Sequence, residues 1–305
     1  MNSSWYTIIN PTSGNGKSLK NLTLIKSLFD KYELNVDIVV TKYIHHEKIL
    51  IRDAIKQGFT KFICIGGDGT LHHMVNGIMS QNLIESNRVK IGVIPVGTGN
   101  DWVKTYKIPK NIERSIQIIK NNKTIYQDIG HVQFLKDKKE YYFNNIAGTG
   151  FDAFVVNKIN NIKKLGSLAY LIGGLSGFLS YKKNKVKIKI NGSTANSKIF
   201  MISIGLCQFS GGGMQLTDFK NHKNGLFDIT IIKNITFIKV LLNINKLYNS
   251  KLFKLKEVET YQSNSIKIDL GTKERTIFIQ ADGELLGSGN VNIRCLKKGI
   301  QFVVP

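Results

Sequence analysis

Cysteine is scarce. Cys64, Cys207 and Cys295 are spread over 305 positions, each in apolar surroundings and at no ligand-like spacing. That pattern excludes a disulfide framework or a thiolate metal site and reads as reduced core thiols in a cytosolic protein. Acidic residues are also few, 21 against 43 Lys and Arg, which leaves a formal net charge of +22. A surface of that sign attracts polyphosphates, anionic membrane or nucleic acid. A coding bias toward Lys, Asn and Ile with solvated lysines would give the same excess. Arginine is rare, and no RNP, zinc-finger or basic-helix pattern occurs, so nucleic acid is the weaker partner class. Long apolar runs are missing: nothing reaches the ~18–20 continuous apolar residues of a membrane span. The opening MNSSWYTIIN lacks the basic and apolar regions of a signal peptide. Low-complexity linkers are absent as well.

What the chain does have is glycine, concentrated in turns. Lys61 to Gly77 reads KFICIGGDGTLHHMVNG. A short apolar run of buried-strand type breaks into Gly66-Gly67-Asp68-Gly69-Thr70, and Leu71, Met74, Val75 and Ile78 follow at helical spacing. Such a turn aims free backbone N–H groups and the positive end of a helix dipole at one spot, where phosphate is the natural guest. Asp68 alone would repel a phosphate, which suggests a divalent cation between them. An unliganded strand–helix turn fits the isolated pattern equally well.

The same unit occurs twice more. Tyr6–Asn10 reads as a strand that runs into Pro11-Thr12-Ser13-Gly14-Asn15-Gly16-Lys17-Ser18 and then a helix over about Leu19–Tyr32. This is not a Walker A loop, since Pro11 stands where that motif needs glycine. Asn35–Thr41 is a further strand and His46–Gln57 a helix. Arg88–Pro95 is a strand ending in Val96-Gly97-Thr98-Gly99-Asn100-Asp101, with a helix beginning at Trp102. The alternation predicts a Rossmann-like parallel sheet with helices on both faces, its ligand beyond the carboxyl ends of the strands. There Asp68 and Asp101 would converge, fit to hold a magnesium–nucleotide complex.

From about Ile125 the texture changes to short β-branched runs: Gln127–Val132, Glu140–Ile146, Lys185–Ile190, Ile199–Ile204, Leu226–Ile232, Ser265–Leu270, Thr276–Gln280 and Val291–Cys295. They predict an all-β second domain of sandwich or barrel type, interrupted by helices over about Ala153–Tyr181 and Ile235–Ser250. The division expected is residues 1–125 for nucleotide and 126–290 for a β-rich domain, with 291–305 free to return to the first. Leu165–Tyr181 is uncharged and flanked by lysine pairs. It fits a helix buried against the β-domain, or an interfacial helix on anionic lipid. The pairs His45-His46 and His72-His73 point apart on regular structure and read as surface or packing residues.

INPTSGNGKS, GGDGTLHHMVNG, IPVGTGNDWVKTY, FNNIAGTGFDAFVV, GGGMQLTDFKNHKNGLFDITII and QADGELLG, in this order, resemble the diacylglycerol kinase catalytic family. That family includes bacterial diacylglycerol kinases and the sphingosine and ceramide kinases, and the likeness runs almost end to end. GGDGT alone is shared with NAD kinases and phosphofructokinases; GGDGT, GTGND and DGE together are far more specific. The resemblance implies an α/β domain plus a β-sandwich domain with the active site in the cleft between them. It implies ATP contacts from Asn10, Thr41, Gly66, Gly67, Asp68, Gly69, Thr70, Leu71, His72, Thr98, Asn100 and Asp101. Asp68 and Asp101 would organise catalytic Mg2+, directly or through water. Asp282 would be the general base toward the lipid hydroxyl, with Glu284 beside it. Read without the family, Asp282-Gly283 is a common hairpin turn pair, and Gly283 leaves the direction of the two carboxylates open.

One position departs from the family. Many bacterial members have DGLFD and a structural Mg2+, whereas this chain has Asn224, as NGLFD. Asn brings oxygen without charge, so the site is expected to be weak or empty, with Asn224 and the backbone carbonyls of Asn221 and Leu226 as donors and Asp228 nearby. The resemblance further implies a cytoplasmic enzyme that visits the inner face of the membrane for its lipid, without a membrane span and without nucleic acid. Edge strands in the β-rich half leave room for a homodimer. Three rivals stay open: an NAD kinase-like enzyme with a soluble substrate, a non-catalytic nucleotide- or lipid-binding regulator, and a nucleic-acid binder, which would show steeply salt-dependent retention on DNA that ATP does not displace.

Overall fold

The structure, a computed structural model, describes residues 4–159, 181, 183–218, 224–270 and 277–305. The chain divides into two compact units, residues 1–128 with 298–305, and residues 129–297.

The first unit is built on parallel strands: β1 (Trp5–Ile9), β2 (Val36–Val40), β3 (Lys61–Gly66) and β4 (Lys90–Pro95). Their spatial order is β2-β1-β3-β4. Gln301 and Phe302, near the chain's end, add a further parallel pairing to Lys90 and Ile91. The strands read as continuous apolar runs because both faces are covered. Helices α1 (Lys17–Lys20), α2 (Leu22–Lys31), α3 (His46–Lys56), α4 (Asp68–Met79), α5 (Asp101–Thr105) and α6 (Ile112–Asn121) connect them. Ile25 and Phe29 of α2 and Ile116 and Ile119 of α6 pack on Ile9, Ile63, Ile65 and Ile94. Burial of such a side chain contributes about 1.5–3 kcal/mol. Helices α3 and α4 approach at Gly77, where a Cβ would lie 3.1 Å from Ile51 Cβ. The expected Leu19–Tyr32 helix is broken at Asn21, whose Nδ2 donates to Lys17 O at 2.9 Å. An Asn side chain that competes for backbone partners ends helices in this way.

The second unit is an antiparallel β sandwich. Its strands are β5 (Thr124–Phe134, entering from the first unit), β6 (Glu140–Phe143), β7 (Ile146–Gly150), β8 (Asn184–Ile190), β9 (Ser193–Ile199), β10 (Met201–Gly205), β11 (Phe209–Ser210), β12 (Met214–Gln215), β13 (Phe227–Ile232), β14 (Val258–Ser263), β15 (Ser265–Asp269), β16 (Phe278–Ala281), β17 (Glu284–Ser288) and β18 (Val291–Val303). One sheet runs β9-β8-β15-β18; the other runs β14-β13-β10-β7-β16-β17. Their inner faces interdigitate through Ile188, Ile266 and Ile293 from the first and Ile202, Ile229 and Ile279 from the second. Of the strands that the sequence pattern does not announce, β9, β14 and β17 are sheet edges, while β7, glycine-rich and wholly buried, lies between β10 and β16. An edge strand is half wet and polar, so its periodicity is weak.

Helix α7 (Phe151–Ile159) begins the first expected insertion. Of Leu165–Tyr181 only Tyr181 lies within the described residues; its hydroxyl donates to Phe200 O at 3.0 Å. The second insertion is shorter than expected: α8 (Phe237–Leu242) is followed by 3-10 turns at Ile244–Tyr248 and Lys251–Lys254. Asn243 Nδ2 donates to Lys239 O at 2.7 Å and closes α8. No helix among the described residues is long and apolar enough to cross a membrane. All three cysteines are free; Cys64 and Cys207 are buried and Cys295 half-buried.

Candidate functional site

The residues singled out from the sequence fall into two groups, one in each unit. In the first unit the three glycine turns meet. Asn10, just past β1, donates through Nδ2 to Thr70 Oγ1 at 3.1 Å. Its Oδ1 accepts the Thr12 N–H at 3.1 Å and the Thr12 hydroxyl at 2.8 Å. The Ser13 and Thr70 hydroxyls stand 3.4 Å apart. Gly14 has φ +60, and a Cβ there would lie 2.0 Å from Val96 O. Gly66 O accepts the N–H groups of Val96 and Gly97 at 3.0 and 3.2 Å. A Cβ on Gly97 would stand 2.5 Å from Gly67 Cα, so the second and third turns touch backbone to backbone. Thr41 is buried beside β1, its N–H bonded to Ile9 O at 2.9 Å.

The two carboxylates meet as well. Asp68, the first residue of α4, accepts the Asp101 N–H at 3.0 Å through Oδ2 and the Trp102 N–H at 3.2 Å through Oδ1. It therefore caps α5, which starts a different turn. A Cβ on Gly99 would lie 3.2 Å from Asp68 Oδ2 and 4.0 Å from Asp101 Oδ2, so both carboxylates border one small space. Asp101 is 5% exposed and its Oδ1 accepts from Lys104 Nζ at 2.6 Å. Lys104 was not read from the sequence as part of the site; its i,i+3 spacing from Asp101 was the available signal. Asn100 is buried in the left-handed region, φ 50, with Nδ2 donating to Gly97 O at 2.6 Å. Thr98 is exposed, Gly69 half-buried, and Leu71 and His72 are buried in α4. Asn76 Nδ2 and His72 Nε2 lie 3.2 Å apart.

These donors suit magnesium. Two carboxylates beside glycine N–H groups match a cation that keeps several waters and takes its remaining ligands from phosphate. Among the described residues there is no group of three or more His, Cys, Asp or Glu that could hold a metal by itself. His45 and His73 do meet, with ring nitrogens 3.2 Å apart, a pairing that adjacency in sequence did not suggest.

In the second unit, Asp282 and Gly283 are the two loop residues between β16 and β17. Both have positive φ, 52 and 82, as a type I′ turn requires. The hairpin-turn reading of Asp-Gly is thus correct, and it coexists with an unusual set of contacts. The Asp282 carboxylate accepts three backbone N–H groups: Asn144 at 3.2 Å, Asn145 at 3.0 Å and Ile146 at 3.2 Å. Its own N–H donates to Ile146 O at 2.9 Å. A carboxylate accepts at both oxygens, so these three N–H bonds fix its orientation. Glu284 is half-buried at the start of β17, opposite Ala281 across the turn. Asn145 Nδ2 donates to Phe209 O at 2.9 Å, while its buried Oδ1 has no hydrogen-bond partner among the described residues.

Behind the turn lies Asp152, which the sequence reading did not single out. Burial pushes its carboxyl up to about 6, against hydrogen bonds from Gln280 and Ala153 that pull it down. The supporting residues were present in FNNIAGTGFDAF and QADGE, but nothing in their spacing showed that the two segments touch. In the mid-β motif, Asn224 Oδ1 accepts the Leu226 N–H at 3.0 Å. Asn221 lies outside the described residues. Asp228 is buried and accepts from Gln262 Nε2 at 2.9 Å, beside a cavity of about 200 Å³ that Asp218 also lines.

Residues 4–132 match the family described as the diacylglycerol kinase catalytic domain. Residues 145–304 match the YegS C-terminal NAD kinase beta sandwich-like domain. The chain is 27% identical over 305 residues to a diacylglycerol kinase of Bacillus subtilis, covering 98% of this chain and 95% of that one. It is 23% identical over 301 residues to a diacylglycerol kinase of Mycobacterium tuberculosis, covering 98% and 94%. A solved diacylglycerol kinase structure from Bacillus anthracis superposes with a TM-score of 0.74 at 19% identity, covering 99% of this chain and 97% of that one. At that identity the likeness speaks for the fold.

Proposed function

Because the chain belongs to the family that joins a diacylglycerol kinase catalytic domain to a YegS-type β-sandwich domain, we propose that it transfers the γ-phosphate of ATP to the hydroxyl of a lipid such as diacylglycerol. The observation that carries this reading is the contact of the Gly67 and Gly97 turns, with Asp68 and Asp101 bordering the same space. Phosphoryl transfer asks little covalent chemistry of a protein; it asks for positioning and charge neutralisation. In this reading backbone N–H groups of Gly66, Gly67, Gly69 and Thr70 hold phosphate oxygens at the start of α4, where the helix dipole adds to them. Asn10, Thr41, Thr98 and Asn100 shape the rest of the nucleotide site, and Leu71 and His72 support it from inside α4. Asp68 and Asp101 would hold Mg2+, which when bound neutralises phosphate charge. Lys104 keeps the Asp101 carboxylate compensated in the meantime.

In the second unit, Asp282 is the group assigned to take the proton from the lipid hydroxyl as that oxygen bonds to the γ-phosphorus and ADP leaves. A base in place contributes roughly 10²–10⁴-fold. Glu284 and the unpaired Asn145 Oδ1 stand beside it as further polar groups for the acceptor or an ordered water. The lipid is met at the membrane surface from the cytoplasmic side, a placement that suits a net charge of +22. Labelled ATP and Mg2+, incubated with a total lipid extract and separately with NAD, test the assignment. Label in a lipid supports it; label in NAD alone favours the soluble-substrate rival, and nucleotide binding without turnover on either favours a regulator.

A further inference from the structure

We propose that α8 and the two 3-10 turns after it form a docking face for an anionic bilayer, with Ile238, Leu241 and Leu242 entering the acyl boundary and lysines meeting the headgroups. This face rests on the lipid-substrate reading above for its choice of partner, and on no assignment of the catalytic base.

Helix α8 reads FIKVLL, apolar at five of its six positions. A helix that is apolar all round is normally buried or in contact with lipid. Val240 turns inward and packs on a small core cluster with Ile235 and Leu252. Ile238, Leu241 and Leu242 stand at i, i+3 and i+4, hence on one face, and they are 69%, 41% and 79% exposed. Single exposed apolar side chains are ordinary, whereas several on one face mark an interaction site. The helix is anchored at both ends. Thr236 Oγ1 accepts the Lys239 N–H at 3.3 Å at its start, and Asn243 closes it. The fold that buries Val240 therefore also holds the other three side chains outward.

Charge selects the partner. From Ile229 to Lys256 the chain has no Asp or Glu, and it has six lysines: Lys233, Lys239, Lys246, Lys251, Lys254 and Lys256. Lys233 and Lys239 are paired with Glu259 and Glu257. The other four have no ion pair among the described residues. Lys246, Lys251 and Lys254 lie in the 3-10 turns that follow α8, and Tyr248 between them is 47% exposed. An uncharged apolar partner would leave these ammonium groups unanswered. An anionic bilayer offers acyl chains to the leucines and phosphates to the lysines, and tyrosine favours the boundary between the two. A second basic cluster lacks this combination. Lys187 and Lys189 on β8 and Lys267 on β15 are exposed, but Ile188, Ile266 and Ile268 beside them are buried.

The test is flotation of the full-length protein, without ATP, on vesicles of phosphatidylglycerol with phosphatidylcholine and on vesicles of phosphatidylcholine alone. Three variants accompany wild type: Ile238→Ser/Leu242→Ser, Lys246→Gln/Lys251→Gln/Lys254→Gln, and a control of equal charge change, Lys187→Gln/Lys189→Gln/Lys267→Gln. Thermal melts and sedimentation without vesicles check fold and oligomeric state. Wild type is expected to float with the anionic vesicles and to bind the neutral ones about tenfold or more weakly. Loss of the two apolar side chains should weaken binding about tenfold or more. Loss of Lys246, Lys251 and Lys254 should weaken it about 100-fold, at roughly fivefold per lysine. The control should stay within about fivefold of wild type, since screening limits distant charges. An Ile238→Ser/Leu242→Ser variant that floats as wild type does overturns the docking face. So does a control that loses as much as the Lys246 set, because net charge alone would then be the cause. A change of oligomeric state in the apolar variant also overturns it, by assigning the face to a second copy of the chain. A protein that docks as expected yet labels no lipid contradicts the kinase reading and upholds the docking face, so the two failures are distinct.

Discussion

Asp68 and Asp101 lie in different glycine turns, yet the Asp68 carboxylate accepts the Asp101 backbone N–H at 3.0 Å. One acidic residue thereby sets the start of the helix that carries the other. Asp68→Ala should lower stability by about 0.5–2 kcal/mol through loss of the α5 cap and weaken ATP binding in the presence of Mg2+. Asp68→Asn, which keeps an acceptor for one of the two N–H groups, should recover stability but not nucleotide affinity. Thermal melts beside ATP titrations check both; an Asp68→Ala variant that binds ATP as wild type counts against the shared site.

Backbone contact between Gly67 and Gly97 leaves no room for a methyl group. The Cβ of Gly97→Ala would stand 2.5 Å from Gly67 Cα and 2.7 Å from Asn100 Oδ1. Neither neighbour is the end of a long flexible side chain, so the turns must separate, at about 1–3 kcal/mol. Calorimetric titration with ATP should show affinity down by an order of magnitude or more, about 1.4 kcal/mol per tenfold. Unchanged affinity would mean that the two turns do not jointly hold the nucleotide.

Asp152 makes a prediction about pH. Burial raises its carboxyl from 3.8 to about 6, so between those values the folded state binds more protons than the unfolded chain. Stability from this group is present below about pH 4 and is lost as pH rises through about 6. The shift amounts to roughly 3 kcal/mol by linkage. Asn mimics the protonated form, so Asp152→Asn should flatten the stability profile between pH 4 and 7. It should also melt higher than wild type near pH 8. Denaturant melts across that range decide it; a wild-type profile that rises over the interval would reverse the sign and refute the buried ionisable group.

The fold was legible where a segment is buried on both faces. Ile63–Ile65 and Ile91–Ile94 announce parallel strands because nothing polar interrupts them. The edge strands β9, β14 and β17 gave no such signal, nor did the buried central strand β7, whose IAGTG is too rich in glycine to read as an apolar run, and Asn21 and Asn243 ended helices that apolar spacing alone would have continued. Glycine turns marked the nucleotide half of the candidate site, since a strand, a glycine pair and a helix start are local features. Asp152 and Gln280 were not legible: their meaning comes from a 128-residue separation in sequence that the sheet closes to 3.1 Å. Lys104 escaped notice for the opposite reason, because a lysine three residues from an aspartate is ordinary until both are found half or wholly buried.

The most direct measurement compares wild type with Asp282→Asn in transfer of labelled phosphate from ATP to dispersed diacylglycerol, with ATP affinity measured alongside. Asn-Gly suits a type I′ turn as well as Asp-Gly does, but an amide keeps only one of the two oxygens that accept the Asn144, Asn145 and Ile146 N–H groups, so thermal melts run beside the assay to separate loss of the carboxylate from loss of the turn. Wild type should label the lipid, and the variant should be slower by roughly 10²–10⁴-fold with ATP affinity intact. Equal rates from the two proteins, or no labelled lipid from wild type with any lipid of a total extract, would contradict a lipid kinase that works through Asp282.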